Sequence, residues 1–272
     1  MDCRDAAEKE RDTVISLRRH FHENPELSQK EFGTMDFIEK FLHELGIETV
    51  RVPHGGVFGF IDSGRPGWTV LMRADIDALP IKEDPVNLSK ERVCISQNDG
   101  VMHACGHDGH MAIALELARR VSRKTELPHN ILIVFQPAEE TTGGARELCG
   151  TGIFEEYHVK AIFGLHLWPG LPEGVIASRK EELMARSCEV KVDVFGRAAH
   201  IARAEEGLDA LAAGVKFYSQ AMEMEAHMPD GVFRLLKFGK FESGRVCNAL
   251  SAHTHMEGSL RAFQDEIFYG MR

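Results

Sequence analysis

Long apolar runs and an excess of positive charge are both missing from this sequence, and their absence narrows the classes of protein to consider. The uninterrupted apolar runs, such as residues 131–135, fall far short of the roughly 20 residues that a membrane-spanning helix needs. Lysine and arginine total 32 against 42 aspartates and glutamates, so the formal net charge is −10. We therefore expect neither a membrane nor a nucleic acid as a partner.

Paired cysteine spacing and an apolar leader are also missing. Six cysteines are scattered over 272 residues, which favours reduced thiols over a disulfide framework. The opening M-D-C-R-D-A-A-E-K-E-R-D is charged throughout, unlike a secretory signal. Together these features predict a cytoplasmic protein. The 43% of hydrophobic and 27% of charged residues are ordinary values that predict a folded globular chain.

Helical and strand patterns alternate over the first 165 residues, which predicts an α/β fold. Ser28 and Glu31 form a capping-box pattern at the start of one helix. Two later runs are apolar throughout, as in buried strands of a mainly parallel sheet. We predict helices over 6–21, 28–45 and 108–123, and strands over 48–52, 57–61, 69–72, 131–135 and 161–165.

The pattern changes near Ala177. Cys188, Val190, Val192 and Val194 alternate with polar residues, which indicates a sheet with one face in water. A helix over 208–225 and strands over 232–238 and 252–260 complete a smaller α+β domain. We therefore predict a catalytic domain over 1–180 and a second domain over 181–272.

Three predicted strands end in polar side chains that suit cation binding or proton transfer. Asp75 and Asp77 follow one strand, Glu139 and Glu140 the next, and His166 the last. Ligands in open α/β sheets bind outside the carboxyl ends of the strands, so we expect these groups to share one cleft. One glutamate would bind a metal while its neighbour takes a proton from water, unless the pair belongs to a solvated loop. The two aspartates either support a ligand or form a strand-end turn.

The segment H-A-C-G-H-D-G-H, residues 103–110, is the densest group of metal-binding side chains. Cys105 and His107 are donors that suit zinc, manganese, cobalt or nickel. Asp108 stands next to His107, where its carboxylate would fix the tautomer of a ligand imidazole. His103 and His110 belong either to the ligand shell or to ordinary packing.

Five motifs together resemble one enzyme family over essentially the whole chain. The sequence is similar to metal-dependent amidohydrolases of the aminoacylase and carboxypeptidase metallopeptidases, in the branch of indole-acetyl-amino-acid, hippurate and N-acetyl-diaminopimelate hydrolases. The resemblance implies a three-layer α/β catalytic domain with an inserted α+β lid, through which subunits form a homodimer. The motifs are R-R-H-F-H-E-N-P-E-L (18–27), R-A-D-I-D-A-L-P (73–80), H-A-C-G-H-D-G-H (103–110), Q-P-A-E-E (136–140) and G-L-H-L-W (164–168).

The same resemblance implies a function and a set of site residues. Cys105, His107, Glu140 and His166 would hold two divalent transition-metal ions, with zinc or manganese favoured over nickel or cobalt. Glu139 would act as the general acid/base in hydrolysis of the amide bond of an N-acyl amino acid, with the two ions activating water between them.

Three lid positions carry further roles by resemblance. His200 matches a histidine that stabilises the oxyanion, often in the partner's site, with an ordinary strand-end histidine as the alternative. Asn248 and Arg261 match positions that hold the substrate carboxylate. Ala204 stands where the family usually has proline.

The family also has a further histidine ligand, in a segment that resumes the catalytic domain after the lid. Because residue 272 falls inside the lid pattern, we expect an incomplete lid and a site without that ligand. His253 and His255 belong to a lid strand and are not expected to replace it. Two alternatives to the amidohydrolase are kept: a catalytically silent fragment or pseudoenzyme that still binds metal or associates, and a hydrolase with Cys105 as nucleophile.

Overall fold

A computed structural model of the chain describes residues 8–53, 55–87, 90–124, 126–141, 143–229 and 231–272. The chain divides into two compact units, Met1–Pro172 and Glu173–Arg272. The domain boundary that we predict from the sequence, between residues 180 and 181, lies slightly later along the chain.

The first unit alternates helices and strands in the predicted order. Its longer helices are α1 (Arg11–Glu23), α2 (Phe32–Glu44) and α3 (His107–Ser122), followed by the short α4 (Gly144–Gly150) and α5 (Ile153–Glu156). Its strands are β1 (Glu48–Val52), β2 (Gly56–Ile61), β3 (Thr69–Asp75), β4 (Val86–Asn87), β5 (Lys90–Glu91), β6 (Asn130–Gln136) and β7 (Val159–Gly164).

A five-stranded sheet with the order β1-β2-β6-β3-β7 forms the centre of this unit. β3 pairs in parallel with β6 and β7, whereas β2 is antiparallel to both β1 and β6. Four of the five strands therefore run in one direction, and the predicted mainly parallel sheet is confirmed. The carboxyl ends of β6, β3 and β7 meet at one edge of the sheet.

Hydrophobic side chains cover both faces of the central strands, which gives three layers. On β6, Ile133 and Phe135 join the cluster formed with α1, α2 and α3. The alternate residues Leu132 and Val134 join a second cluster that includes Leu148 of α4. A strand buried on both faces needs apolar residues at every position, which explains the unbroken run in the sequence. The prediction of a buried strand over 161–165 is wrong in its burial, because β7 is an edge strand on which Ile162 and Phe163 are exposed.

The predicted capping box at the start of α2 is wrong. The helix begins at Phe32, and its N-cap residue Glu31 makes no side-chain capping hydrogen bond. Glu26 performs that function instead, because its carboxylate accepts from the Thr34 backbone N–H at 2.7 Å. The Ser28 hydroxyl donates to Asp77 and the Glu31 carboxylate accepts from the Ala138 N–H, so loops beside the sheet take both side chains away from the helix.

The second unit is the predicted α+β arrangement. It contains β8 (Arg186–Phe195), a 3-10 helix (Ile201–Glu206), α6 (Ala210–Ala226), β9 (Arg234–Ser243), β10 (His253–Ala262) and α7 (Asp265–Gly270). The strands form an antiparallel sheet with the order β8-β10-β9. Leu260 on this sheet packs with Ala221 of α6 and Phe268 of α7, while the opposite face carries polar side chains.

The sequence predicts reduced cysteines and no membrane-spanning helix, and the structure describes residues that bear on both predictions. Cys94, Cys105, Cys149, Cys188 and Cys247 all have free thiols. Within the described ranges, every helix is too short or too polar to cross a membrane.

The entry into β2 gives a test of the sheet packing. Gly56 has φ +94°, and a Cβ there would overlap the Phe135 carbonyl oxygen of β6, whereas Gly64, with φ +69°, has open space around it. Gly64→Ala therefore adds only left-handed backbone strain of about 1–2 kcal/mol. We expect Gly56→Ala to lower the free energy of unfolding by about 1–3 kcal/mol more than Gly64→Ala does, because the strand must move. Urea unfolding measures both losses, and equal losses would contradict the close contact of β2 and β6.

Candidate metal centre

Residues from four separate stretches of the chain meet at the carboxyl ends of β6, β3 and β7. β3 delivers Asp75, the turn after β6 delivers the two glutamates, and the segment after β7 delivers His166. Cys105 and His107 come from the turn into α3, where Gly106 adopts φ +95° and so reverses the chain before the helix. The expected convergence on one edge of the sheet is found in the structure.

His107 is fully buried and its ring has one free nitrogen. Nδ1 donates to the Asp77 carbonyl oxygen at 2.8 Å, which leaves Nε2 with its lone pair. Nε2 lies 3.5 Å from Asp75 Oδ2 and 3.8 Å from Glu140 Oε1. The backbone of Asp77 thus orients His107 so that its free nitrogen faces carboxylate oxygens.

Cys105 and His166 form the other side of the cluster. The His166 Nδ1–H donates to the Leu167 carbonyl oxygen at 2.7 Å, so Nε2 is free and lies 3.4 Å from Cys105 Sγ. One donor atom each from Cys105, His107 and His166 lies within 4.8 Å of the other two. A sulfur and two imidazole nitrogens at this spacing suit a borderline-soft transition metal.

The two glutamates are held by a strained turn. Ala138 has φ +52°, an uncommon conformation for a residue with a side chain, and its N–H is bound by Glu31 at 2.8 Å. The Glu140 N–H donates to Asp77 Oδ2 at 2.9 Å. As a result, oxygens of Glu139 and Glu140 lie within 4.8 Å of a His107 nitrogen.

The structure gives the other two histidines of the motif different surroundings. His110 uses both ring nitrogens: Nδ1 donates to Asp75 at 2.6 Å, and Nε2 accepts from the Leu167 N–H at 2.9 Å. His110 therefore connects the end of β3 to the segment after β7. It also belongs to a group of possible metal-binding side chains with Asp75 and His107.

His103 is buried with no partner for either ring nitrogen, and burial lowers its pKa to about 4. Asp75 and Asp77 both support the site, since each holds a histidine.

The expectation that Asp108 fixes the tautomer of His107 is wrong. Asp108 instead accepts from His22 Nδ1 at 2.7 Å and pairs with Arg18 at 2.9 Å. Neighbouring residues on a helix point in different directions, so adjacency in sequence does not bring these two side chains together. Glu83 binds the other nitrogen of His22 at 2.9 Å. Sequence reasoning missed this buried network, although its histidine lies in the motif at residues 18–27.

Negative charge is concentrated at the cluster, and the pKa values reflect it. Burial raises the pKa of the Cys105 thiol to about 12, and the nearby carboxylates, Glu140 first, add to the effect. Burial also raises the pKa of Glu139, again with help from Glu140. For Asp75, burial acts in the same direction, but the hydrogen bond from His110 and the charge of nearby Arg73 lower its pKa to about 2.

Three buried atoms around His107 have no hydrogen-bond partner: its own Nε2, Glu140 Oε1 and Asp77 Oδ1. Unpaired buried polar atoms are costly, and those in native proteins need an explanation. His107 Nε2 and Glu140 Oε1 are acceptors that a cation between them would satisfy, and a cation would also neutralise the surrounding carboxylates. The residues present therefore fit a bound divalent transition-metal ion.

The three lid candidates lie in the second unit. His200 precedes the 3-10 helix, its Nδ1 accepts from the Ala202 N–H at 3.1 Å, and it forms a β-bridge with Ala249. Asn248 is its neighbour, because the Asn248 carbonyl oxygen accepts from the Ile201 N–H. Arg261 lies near the far end of β10, so the structure brings His200 and Asn248 together but not Arg261 with them.

Comparison with known proteins agrees with this description. The sequence profile of Peptidase family M20/M25/M40 matches residues 71–257, a range that contains all four candidate metal ligands. The chain belongs to this family. An uncharacterized hydrolase of Staphylococcus haemolyticus is 38% identical over 255 residues, which are 92% of this chain and 65% of the relative. The chain thus spans less than two thirds of the length of that relative.

Solved structures share the fold. A dinuclear metal-binding peptidase of family M20 from Bacillus subtilis, YXEP, is 33% identical with a TM-score of 0.74, and the match covers 97% of this chain and 67% of that one. A proposed aminohydrolase from methicillin-resistant Staphylococcus aureus is 29% identical with a TM-score of 0.87, covering 98% and 70%. These likenesses confirm the metallopeptidase-type α/β fold expected from the sequence.

The buried network around His22 predicts a pH dependence of stability. Burial lowers the pKa of His22, but hydrogen bonds to Asp108 and Glu83 outweigh it, and the net shift is upward. Its stabilising contribution is therefore complete below the ordinary histidine pKa of about 6.5 and is lost as the pH rises through the raised value. We expect His22→Gln to lower the free energy of unfolding by about 3–5 kcal/mol near pH 6 and by less near pH 9. Denaturant unfolding at the two pH values measures both losses.

His20→Gln is the matched control for this experiment. Burial lowers the pKa of His20, so its contribution should instead diminish as the pH falls below about 6.5. If the cost of His22→Gln stays constant between about pH 6 and about pH 9, His22 is not charged in the folded state.

Proposed function

We propose that this protein hydrolyses the amide bond of N-acyl amino acids with the help of two divalent transition-metal ions. The observation that carries the proposal is the pair of buried, unpaired acceptors, His107 Nε2 and Glu140 Oε1, which face each other at 3.8 Å. Cys105 and His166 complete the set of residues that would hold the metal. The thiol and imidazole donors disfavour magnesium and calcium. Zinc or manganese are the first candidates by the family resemblance, with nickel and cobalt as further candidates.

The ions, when bound, would polarise the amide carbonyl and make water easier to deprotonate. Within the chain, Glu139 is our candidate to take that proton and to pass it to the leaving nitrogen. Its raised pKa suits this task, because a general base works best when its pKa approaches the working pH. Asp77 and His110 would keep the donors in position through their hydrogen bonds to His107 and Asp75.

The substrate class rests on the resemblance to the indole-acetyl-amino-acid and hippurate hydrolase branch. His200 is the candidate for stabilising the oxyanion, and Asn248 and Arg261 are candidates for binding the substrate carboxylate. We also propose that the second unit mediates homodimer formation and that the protein works in the cytoplasm. Exposed polar side chains at all three positions are compatible with a role in binding.

The alternative with Cys105 as a covalent nucleophile has little support. A thiol attacks as its thiolate, and burial among carboxylates raises the pKa of Cys105 to about 12. Without a cation this thiol stays protonated at neutral pH. The other alternative is a chain that binds metal without turnover, and joint measurement of metal content and hydrolysis distinguishes it.

Replacement of the proposed base should separate metal binding from hydrolysis. We expect Glu139→Gln to keep the bound metal and to lower hydrolysis of a panel of N-acetyl amino acids by at least about 100-fold. Glu147→Gln, an exposed change on nearby α4, should keep full activity. Metal content by atomic emission and turnover by amine release measure the two effects. A Glu139→Gln variant with normal turnover would refute the assigned base.

Metal removal distinguishes the remaining alternatives. Dialysis against a chelator should abolish hydrolysis, and zinc or manganese should restore it, whereas substoichiometric alkylation of thiols should have no effect. Activity that survives chelation but is lost on alkylation would favour Cys105 as nucleophile. Protein that binds the metal and yet turns over none of the N-acetyl amino acids would establish the silent alternative for this chain.

A further inference from the structure

A second group of metal-binding side chains lies on the polar face of the sheet in the second unit. His253 and His255 stand two residues apart on β10, so their side chains point to the same face. Thr254 between them points inward and is buried. Asp193 of β8 is the direct cross-strand partner of His255. Three donors on two paired strands are therefore held at fixed spacing by the backbone.

The three side chains aim at one point. Asp193 Oδ1 lies 2.7 Å from His253 Nε2 and 2.9 Å from His255 Nδ1. Donor atoms of the three residues all lie within 4.8 Å of one another. Tetrahedral ligands of one zinc ion are about 3.3 Å apart, so small rotations of these accessible side chains would make room for the ion.

Neighbouring groups select the nitrogen that His255 would offer. Its Nε2–H donates to Glu257 Oε1 at 2.9 Å, which leaves Nδ1 for the cation. Glu257 is in turn held by Lys240 at 2.9 Å. A carboxylate that binds the second nitrogen of a metal-ligating histidine is the usual support for such a ligand. His253 is positioned differently, by stacking on Phe195 with ring centroids 5.1 Å apart.

We propose that His253, His255 and Asp193 form a binding site for a divalent transition-metal ion of the zinc class. Two imidazole nitrogens and one carboxylate oxygen suit zinc, cobalt, nickel or copper, and they disfavour magnesium and calcium. Three protein ligands leave a fourth position open to water or to an outside ligand. This site lies wholly within the second unit and does not rest on the proposed hydrolase function.

The simplest competing explanation is an ion pair between Asp193 and two protonated histidines. Exposed ion pairs contribute only about 0–1 kcal/mol, so stability measurements would not distinguish it well. Metal binding does distinguish it, because a surface ion pair without coordination geometry does not retain cobalt at micromolar concentrations.

The test uses the full chain in a background with the first site disabled by Cys105→Ser and His107→Asn. We expect this double variant to bind one cobalt ion, at the second site, in equilibrium dialysis. The bound cobalt should show a ligand-field absorption band but no thiolate charge-transfer band. Adding His255→Asn should weaken cobalt binding by at least about 10-fold. Adding His227→Asn, an exposed histidine whose ring bonds its own helix, should leave cobalt binding unchanged.

A cobalt affinity that is the same with and without His255 would overturn the proposal, as would equal losses in the His255 and His227 variants. Circular dichroism checks that each variant is folded. Asp193→Asn provides an independent arm, because it removes a ligand on a different strand and should weaken cobalt binding to a similar extent. Binding unaffected by Asp193→Asn would equally contradict the three-residue site.

Discussion

The hydrogen bond from His107 Nδ1 to the Asp77 carbonyl oxygen is the contact on which the candidate metal centre depends. It fixes the tautomer and leaves Nε2 pointing at the carboxylates of Asp75 and Glu140. Asp77 also accepts from the Glu140 N–H through its side chain. A single residue after β3 therefore positions two of the proposed ligands, one from α3 and one from the turn after β6.

This arrangement places unneutralised negative charge around a buried acceptor. Burial and the nearby carboxylates raise the pKa of the Cys105 thiol, and His107 Nε2 and Glu140 Oε1 lack any hydrogen-bond partner. A folded chain tolerates such a cluster most easily when a cation neutralises it, because binding to the folded state then adds to stability. The strained turn at Ala138 fits the same account, since backbone strain is commonly found where a site must be held in a fixed geometry.

Much of the fold could be predicted because hydrophobic periodicity decides where elements form. The strand over 48–52 has the predicted bounds, and the unbroken apolar run at 131–135 is indeed a strand buried on both faces. The convergence of polar groups at strand ends also followed from a general property of α/β sheets. Apart from element and domain boundaries, the errors lie mainly in side-chain partners. Ser28, Glu31 and Asp108 each bind a residue distant in sequence, and local patterns contain no information on such contacts.

Diffraction from crystals of the metal-loaded chain, measured at the absorption edge of the metal, tests the central claim most directly. We expect anomalous density within about 2.0–2.4 Å of Cys105 Sγ and His107 Nε2, with Glu140 and His166 completing the coordination. Metal-loaded crystals in which these four side chains surround no anomalous density, or in which they lie apart, would contradict it.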